Sequence, residues 1–175
     1  EENLVNEKTS FTCTGSISVE GETIHCSNIA GHGTQSFVEA ISNSCNPAFI
    51  QIGQMLGAGK FRQYYQGFGF SDKTGIDLPG EAEDSFWKEG KMGGVDLAVA
   101  SFGQNFTITP IQMITACAAV SNGGYVVQPH VVSKITDSKG NVIKSVDKKI
   151  KRQVISDDTS KKMNEYLEYN TERQG

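Results

Sequence analysis

A hydroxyl and a carboxamide stand two positions apart in Ser44-Cys45-Asn46, and this pair is the part of the sequence best suited to chemistry. A serine hydroxyl can relay a proton, and an asparagine amide can orient a substrate carbonyl by hydrogen bonding. Both roles need side chains that project from a rigid base. The triplet lies where one helical pattern stops and another starts. We therefore predict a tight loop between two helices that presents Ser44 and Asn46.

A second group of reactive side chains combines thiols with imidazoles at Cys13, His25, Cys26 and His32. They fall on a predicted hairpin and on the glycine loop that follows it, so they can converge. Thiolate and imidazole ligands on short loops suit a tetrahedral zinc ion. We expect Cys13, Cys26 and His32 as ligands. His25 ranks fourth, because on a strand it would point to the face opposite Cys26.

The same cysteines allow two other interpretations, a Cys13–Cys26 disulfide across the hairpin or two unconnected thiols. A zinc ion would be structural, because it would link the hairpin to the helix before Ser44 and so stabilise the Ser44 loop from its buried side. The remaining cysteines, Cys45 and Cys117, lie on or next to apolar helix faces and are predicted to be buried thiols.

The elements that would position these residues begin with strands. Hydrophobic residues alternate loosely over residues 11–29, and Gly21 can supply the turn of a hairpin. The period then changes to that of a helix. Ser36 and Glu39 can open this helix as a capping box.

The helix after the Ser44 loop has both a start and a stop signal. Asn46 followed by Pro47 predicts an N-cap with proline at the first helical position. Gly57 can end this helix. A short third helix is predicted over residues 60–66, and residues 67–96 are predicted to form an extended loop region.

The clearest helix in the chain opens at Thr109-Pro110, by the same logic of cap and proline. Its predicted apolar face is rich in small residues and comprises Ile111, Ile114, Cys117, Ala118 and Val120. Strands are then predicted over residues 125–135 and 142–146, around a hairpin signal at 137–141. Ser156 can cap a final amphipathic helix.

Length and composition bound the class of protein. The 175 residues fit one domain, or a substantial piece of a larger one, and 37% hydrophobic with 21% charged residues is ordinary for a globular protein. A net charge of −4 gives no support to nucleic-acid binding. The basic run at residues 148–152 is predicted to form a solvated loop or strand edge, and His130 is predicted to lie at the surface. No stretch approaches the roughly 20 apolar residues of a membrane span, and both ends look cut.

Several segments, in order, resemble the transpeptidase domain of class B penicillin-binding proteins. Besides the Ser44 triplet they are Gly31-His32-Gly33-Thr34, Lys73-Thr74-Gly75-Ile76-Asp77-Leu78-Pro79-Gly80-Glu81, Ser101-Phe102-Gly103-Gln104, Thr109-Pro110-Ile111-Gln112-Met113, and Asn122-Gly123-Gly124 with Gln128-Pro129. The resemblance implies an α+β fold of the penicillin-binding protein and serine β-lactamase type, in which helices pack beside an antiparallel sheet. It also implies that residues 1–175 are part of a transpeptidase domain.

The family's chemistry is acyl transfer through a serine ester. By resemblance, Ser44 would pass a proton toward the leaving amine. Asn46 would contact both the lysine of the nucleophile motif and the amide of the bound stem peptide.

The chain departs from the family pattern at the nucleophile. The Ser-x-x-Lys helix is expected before residue 1 and the catalytic Lys-Thr-Gly strand after residue 175, so the 175 residues alone should be inactive. Ser85-x-x-Lys88 and Ser145-x-x-Lys148 match the nucleophile motif by letter only, since neither lies in a predicted helix. Lys73-Thr74-Gly75 belongs to the family's loop.

The resemblance further implies partners and a location. These are peptidoglycan stem peptides, β-lactams, a polytopic glycosyltransferase, and a membrane anchor upstream of an extracytoplasmic domain. The insert that carries the cysteines and histidines resembles the Gram-positive division or sporulation type. Two alternative functions remain: a β-lactamase or β-lactam sensor, and a non-catalytic, zinc-stabilised binding module.

Overall fold

The computed structural model of the protein describes residues 1–82, 86–88 and 90–174. Within them the chain forms eight strands: β1 (Ser10–Cys13), β2 (Ser16–Val19), β3 (Glu22–His25), β4 (Gly33–Ser36), β5 (Tyr125–Val127), β6 (Lys134–Thr136), β7 (Val142–Ser145) and β8 (Ile150–Gln153). The helices of the same residues are α1 (Phe37–Ser42), α2 (Asn46–Leu56), α3 (Ala58–Gly67), α4 (Gly94–Ser101), α5 (Pro110–Ser121) and α6 (Asp157–Gln174). Helices and short antiparallel strand pairs together make the α+β fold that was predicted.

The chain divides into two compact units. The first comprises Glu1–Gln63, Phe86–Phe106 and Lys162–Gly175, and the second comprises Tyr64–Ser85 and Thr107–Lys161. No helix of the described residues is long and apolar enough to cross a bilayer.

The first unit contains two antiparallel strand pairs, β1 with β4 and β2 with β3. The β2–β3 hairpin turns at Glu20-Gly21, where both residues have positive φ (50° and 90°), which confirms the predicted turn. β1 does not extend this hairpin, although the alternation over residues 11–29 runs through it. It pairs instead with β4, and Cys13 stands opposite Gly33.

The junction of α1 and α2 is set by local sequence. The Ser36 hydroxyl accepts from the Glu39 N–H, and the Glu39 carboxylate accepts from the Ser36 N–H, so the predicted capping box is confirmed. The predicted N-cap Asn46 is wrong by one residue. Cys45 is the N-cap, with extended backbone (φ −79°, ψ 103°), because Asn46 is already helical and its side chain bonds elsewhere.

The core of the first unit consists of two apolar clusters. One surrounds the cysteines and is made of Phe11, Cys13, Cys26, Ala40, Cys45 and Ala48. The other joins Val19 of β2, Ile50 of α2 and Ala98 of α4. Helix α4 was not predicted from the sequence. It packs closely on α2 because residue 53 is glycine: a Cβ there would lie 1.8 Å from the Ser101 hydroxyl.

In the second unit, α5 begins as predicted, with Thr109 as N-cap and proline in the first turn. Its buried face is not the predicted one. The buried residues are Gln112, Thr115, Ala116 and Ala119, whereas Ile114 is 62% exposed and Cys117 is also exposed. Gln112 is buried because its amide donates to the carbonyls of Phe70 and Asp72.

The Lys73–Glu81 segment of the second unit is a loop held by its own carboxylates. Glu81 accepts from the Thr74 N–H and hydroxyl (2.5 Å each) and from the Gly75 N–H (3.0 Å). Asp77 accepts from the N–H groups of Val131 and Val132. Thr74 is therefore buried inside a loop, and Lys73-Thr74-Gly75 forms no strand.

The remaining predictions for the second unit are confirmed in part, because the strand predicted over residues 125–135 is divided into β5 and β6, and residues 128–133 between them form no strand. β6 and β7 form the hairpin around the 137–141 turn, which the Asp137 carboxylate organises by accepting from the N–H groups of Lys139 and Asn141. The basic run supplies β8, which pairs with β5. Ser156 accepts from the Thr159 N–H at the start of α6.

Candidate active-site loop and metal centre

Ser44 occupies the position that ends helix α1. The Ser44 N–H donates to the Ile41 carbonyl and the Cys45 N–H donates to the Ala40 carbonyl, both at 3.0 Å. This pair of bonds defines a Schellman motif, in which the residue after the C-cap adopts a left-handed conformation. Ser44 does so with φ 48°. Glycine is the usual residue there, so a serine carries backbone strain at this point.

The three residues of the motif face different surroundings. Ser44 is exposed, Cys45 is completely buried and Asn46 is half-buried. The Asn46 side chain donates from Nδ2 to the carbonyl oxygen of His25, 3.0 Å away, at the end of β3. The loop therefore presents a hydroxyl to solvent, anchors an amide beside it, and directs a thiol into the core.

That thiol meets three further potential ligands. The Sγ atoms of Cys13, Cys26 and Cys45 and a ring nitrogen of His32 all lie within 4.8 Å of one another. Cys26 Sγ and His32 Nδ1 are 3.6 Å apart. Ligands of a tetrahedral zinc ion, with the usual Zn–S and Zn–N bond lengths, are separated by about 3.6 to 3.8 Å. The donor types therefore fit zinc, and the Cys26–His32 distance matches this ligand spacing.

Four separate elements bring these ligands together. Cys13 ends β1, Cys26 follows β3, His32 precedes β4, and Cys45 caps α2. The three thiols are buried and His32 is half-buried. His25, the fourth of the predicted ligands, is exposed on β3 and is not part of the group. Cys45 stands in its place.

The pKa values of the Cys45 and Cys26 thiols are shifted in opposite directions. Burial raises the pKa of Cys45 to about 11, and Cys13 adds to this shift. Burial also acts to raise the pKa of Cys26, but the backbone N–H groups of Asn28 and Asn46 donate to it and bring the pKa below its usual 9.0. The Cys26 site is thus built to accept a negative charge, whereas the Cys45 thiol keeps its proton until something displaces it.

Sequence reasoning missed Cys45 as a candidate ligand, although one signal was present. Because the loop turns Ser44 outward, the next residue, Cys45, points the other way, toward the hairpin. The described cysteines form no disulfide. The prediction that Cys117 is a buried thiol is wrong, since Cys117 is exposed on α5.

The structure does not support Ser145-x-x-Lys148 as a nucleophile motif. Ser145 is the last residue of strand β7, and residues 146–149 that follow it are not helical. Ser85 lies outside the described residues. His130 is exposed, as expected for a surface residue.

Comparison with known proteins defines the class of protein as a penicillin-binding transpeptidase domain. The family model of the penicillin-binding protein transpeptidase domain matches residues 1–175. The chain therefore belongs to that family, and the resemblance drawn from the sequence is confirmed.

Two bacterial relatives are similar to this chain over different lengths. The chain is 38% identical over 170 residues to stage V sporulation protein D of Bacillus subtilis, which covers 96% of this chain and 26% of the relative. It is 38% identical over 112 residues to the peptidoglycan D,D-transpeptidase MrdA of Acinetobacter baumannii, with 58% of this chain and 16% of the relative covered. The match thus spans about a quarter of the length of the sporulation protein and 16% of the length of MrdA.

A solved structure supports the fold independently. The D,D-transpeptidase domain of a peptidoglycan glycosyltransferase from Eggerthella lenta is similar with a TM-score of 0.83 and 23% identity. The match covers 95% of this chain and 44% of that one. The fold is accordingly that of a penicillin-binding transpeptidase domain, as predicted.

Proposed function

We propose that this chain supplies the Ser-x-Asn part of the active site of a peptidoglycan D,D-transpeptidase. The observation that carries the proposal is the Ser44 loop, which exposes a hydroxyl on a left-handed residue two positions before an anchored asparagine. A proton relay needs a hydroxyl that is accessible and fixed by its backbone.

In this proposal the chemistry is acyl transfer through a serine ester. The nucleophile and its lysine come from a Ser-x-x-Lys helix, and no described helix of this chain contains that motif. Ser44 passes the proton toward the leaving amine. The Asn46 amide contacts that lysine and the stem-peptide amide. The 175 residues by themselves are expected to be inactive.

The parent protein would act at the extracytoplasmic face of the cell membrane, held by an anchor outside these residues. Its ligands would be peptidoglycan stem peptides and β-lactams, and a polytopic glycosyltransferase would be its protein partner. Family membership and the names of the relatives support this placement. A role in sporulation rests on the similarity to the sporulation protein.

The experiment that tests the function compares the full-length enzyme with its Ser44→Ala variant, using acylation by a fluorescent penicillin. Loss of a proton relay should slow acylation by roughly 10²- to 10⁴-fold. Wild-type acylation in the variant would contradict the role of Ser44. A covalent penicillin adduct on the 175-residue chain alone would show that a nucleophile lies within it, with Ser85 and Ser145 the first residues to examine.

We also propose that Cys13, Cys26, His32 and Cys45 hold a structural zinc ion. The support is the mutual spacing of the four donors and their burial. A saturated set of four protein ligands leaves no open position, so the ion would stabilise the fold and would not act on substrate. Because Cys45 lies between Ser44 and Asn46, the ion would hold the motif loop directly.

Metal content and thiol count together separate zinc from a disulfide. Elemental analysis should find one zinc per chain. Alkylation after denaturation in a chelator should label all four cysteines of the sequence. Labelling of two cysteines without reductant would establish a disulfide, and four labelled thiols without metal would establish free thiols.

A further inference from the structure

Helix α1, which ends at the Ser44 loop, is too short to be stable through its own hydrogen bonds. It has six residues, and isolated helices of fewer than about 12 residues are marginal in water. Ala40 is buried in the core, whereas Phe37 and Ser42, the first and last residues of the helix, are half-buried. The direction in which α1 presents Ser44 therefore depends on the contacts that other elements make with these two ends.

Helix α6 contacts both ends of α1. The ring of Tyr166 meets the ring of Phe37 edge to face, with centroids 5.6 Å apart and an interplanar angle of 88°. One turn further along α6, the Oδ1 atom of Asn170 accepts a hydrogen bond from the Ser42 hydroxyl at 3.1 Å. Residues four apart lie on the same face of a helix, so Tyr166 and Asn170 form one contact surface against α1.

This contact surface is itself fixed from a third direction. The Tyr166 hydroxyl lies 3.3 Å from the Glu7 carboxylate, to which it can donate. Glu7 belongs to the segment before β1, and all of these residues lie in the first unit. Helix α6 is thus bonded both to the chain before β1 and to the helix before Ser44.

The Ser42–Asn170 bond is the contact nearest to the motif loop. Ser42 lies two residues before Ser44, in the turn whose carbonyls accept the two backbone hydrogen bonds of the Schellman motif. Ser44 keeps its left-handed backbone (φ 48°) only while that turn is in place, because a strained residue has to be held by its surroundings. A displacement of about 1 Å in a catalytic group can cost roughly 10²-fold in rate. Movement of this turn should therefore affect a proton relay at Ser44.

We infer that Asn170 is a positioning residue for Ser44, which acts through Ser42 and the last turn of α1, and that Tyr166 supports the same helix at its other end. This makes α6 a support of the active site, although 128 residues separate Ser42 from Asn170 in the sequence. The inference rests on the proposed role of Ser44 in acyl transfer.

The test uses Asn170→Ala, Asn170→Asp and Ser42→Ala in the full-length enzyme. Alanine at either position removes the bond, whereas aspartate keeps an oxygen acceptor for the Ser42 hydroxyl. Asn164→Ala is the matched control, since Asn164 is also half-buried on α6 and no hydrogen bond joins it to α1 within the described residues. Hydrogen exchange at the Ser44 and Cys45 amides should accelerate by about fivefold or more in both variants that lose the bond. It should stay at the wild-type rate in Asn170→Asp and Asn164→Ala.

Acylation by a fluorescent penicillin, measured below the melting temperature of every variant, supplies the second measurement. Asn170→Ala should lower the acylation rate constant by roughly tenfold and leave the non-covalent affinity for the penicillin within about twofold. Ser42→Ala should show the same loss, and the double variant should lose no more, because both act through one bond. If Ser44→Ala slows acylation but Asn170→Ala only melts earlier, the contact serves stability alone and the inference is wrong.

The exchange rates separate a failure of this inference from a failure of the proposed function. Unchanged exchange in Asn170→Ala, or equal acceleration in Asn164→Ala, would overturn the positioning role whatever the acylation rates. Wild-type acylation by Ser44→Ala would instead contradict the proposed function. Faster exchange confined to Asn170→Ala and Ser42→Ala would still support the positioning of Ser44 by α6.

Discussion

The side-chain amide of Asn46 lies 3.0 Å from the carbonyl oxygen of His25 and donates a hydrogen bond to it. His25 directly precedes Cys26, and Asn46 directly follows Cys45. The bond therefore joins the motif loop to the segment that carries another candidate ligand. In addition, the Asn46 backbone N–H donates to the Cys26 sulfur. The loop and the candidate metal centre are held by the same hydrogen bonds, so a substitution at one should alter the other.

Replacing Ser44 by glycine should separate stability from activity. The left-handed backbone (φ 48°) costs a non-glycine residue about 1 kcal/mol or more, and glycine avoids this cost. We expect Ser44→Gly to match or exceed the wild type in urea unfolding and to lose most acylation by a fluorescent penicillin.

Asn105 provides the control for that substitution, because it also has positive φ (65°) and is exposed. Asn105→Gly should raise the free energy of unfolding by less, because asparagine tolerates the left-handed conformation better than serine, and acylation should stay normal. If Ser44→Gly unfolds more easily than wild type by over about 1 kcal/mol, the strain assigned to Ser44 is wrong.

Cys45→Ser should reduce the zinc content, because it replaces a thiolate ligand with a hydroxyl that binds zinc poorly. Metal binding that depends on folding stabilises the fold, so the variant should also melt at lower temperature. Cys117→Ser is the control, since Cys117 is exposed and outside the ligand group. Equal zinc in the two variants would exclude Cys45 as a ligand.

Zinc affinity should rise with pH. The pKa of Cys45, raised by burial to about 11, keeps this thiol protonated at neutral pH, so zinc has to displace the proton. Each proton released increases the apparent affinity by roughly tenfold per pH unit below the pKa. Chelator competition between pH 6 and pH 8 measures this slope, and a flat profile would show that Cys45 does not bind as a thiolate.

The raised pKa of Cys45 also predicts that the stability of the metal-free chain falls as the pH rises. A thiol whose folded pKa exceeds its ordinary 9.0 contributes stability that is complete below that pH. The contribution is lost as the pH rises toward about 11. Zinc should remove this loss, because the bound thiolate no longer titrates.

Glu81→Gln should destabilise the Lys73–Glu81 loop. Although burial acts to raise the pKa of Glu81, hydrogen bonds from Thr74 and Gly75 bring it below 4.5. Losing an ionised acceptor should cost about 1 to 3 kcal/mol in urea unfolding. Glu22→Gln, on exposed β3, should change little.

The pH profile checks the same carboxylate. A lowered folded pKa gives stability that is present above about pH 4.5 and declines as the pH falls through the folded value. The difference between wild type and Glu81→Gln should therefore shrink in acid. A constant difference would show that the negative charge is not what holds the loop.

Much of the fold was predictable because its signals are local. The capping box at Ser36, the N-cap at Thr109 and the glycine turn at residue 21 each act within a few residues of chain, and each was found where expected. The start of α2 was misplaced by one residue. There a hydrogen bond from Asn46 to His25, 21 residues away, overrode the local capping preference.

The sequence by itself determined the family, the Ser44-Cys45-Asn46 loop and three of the four clustered donors, because residue types and short spacings carry that information. The tertiary structure decided which faces are buried. On α5 it buried Gln112 rather than Ile114, because two loop carbonyls needed a donor. It also brought Cys45 to Cys13 and placed Gln35 against Asn43. Such contacts depend on how the strands and helices pack together, and no periodicity along the chain encodes that packing.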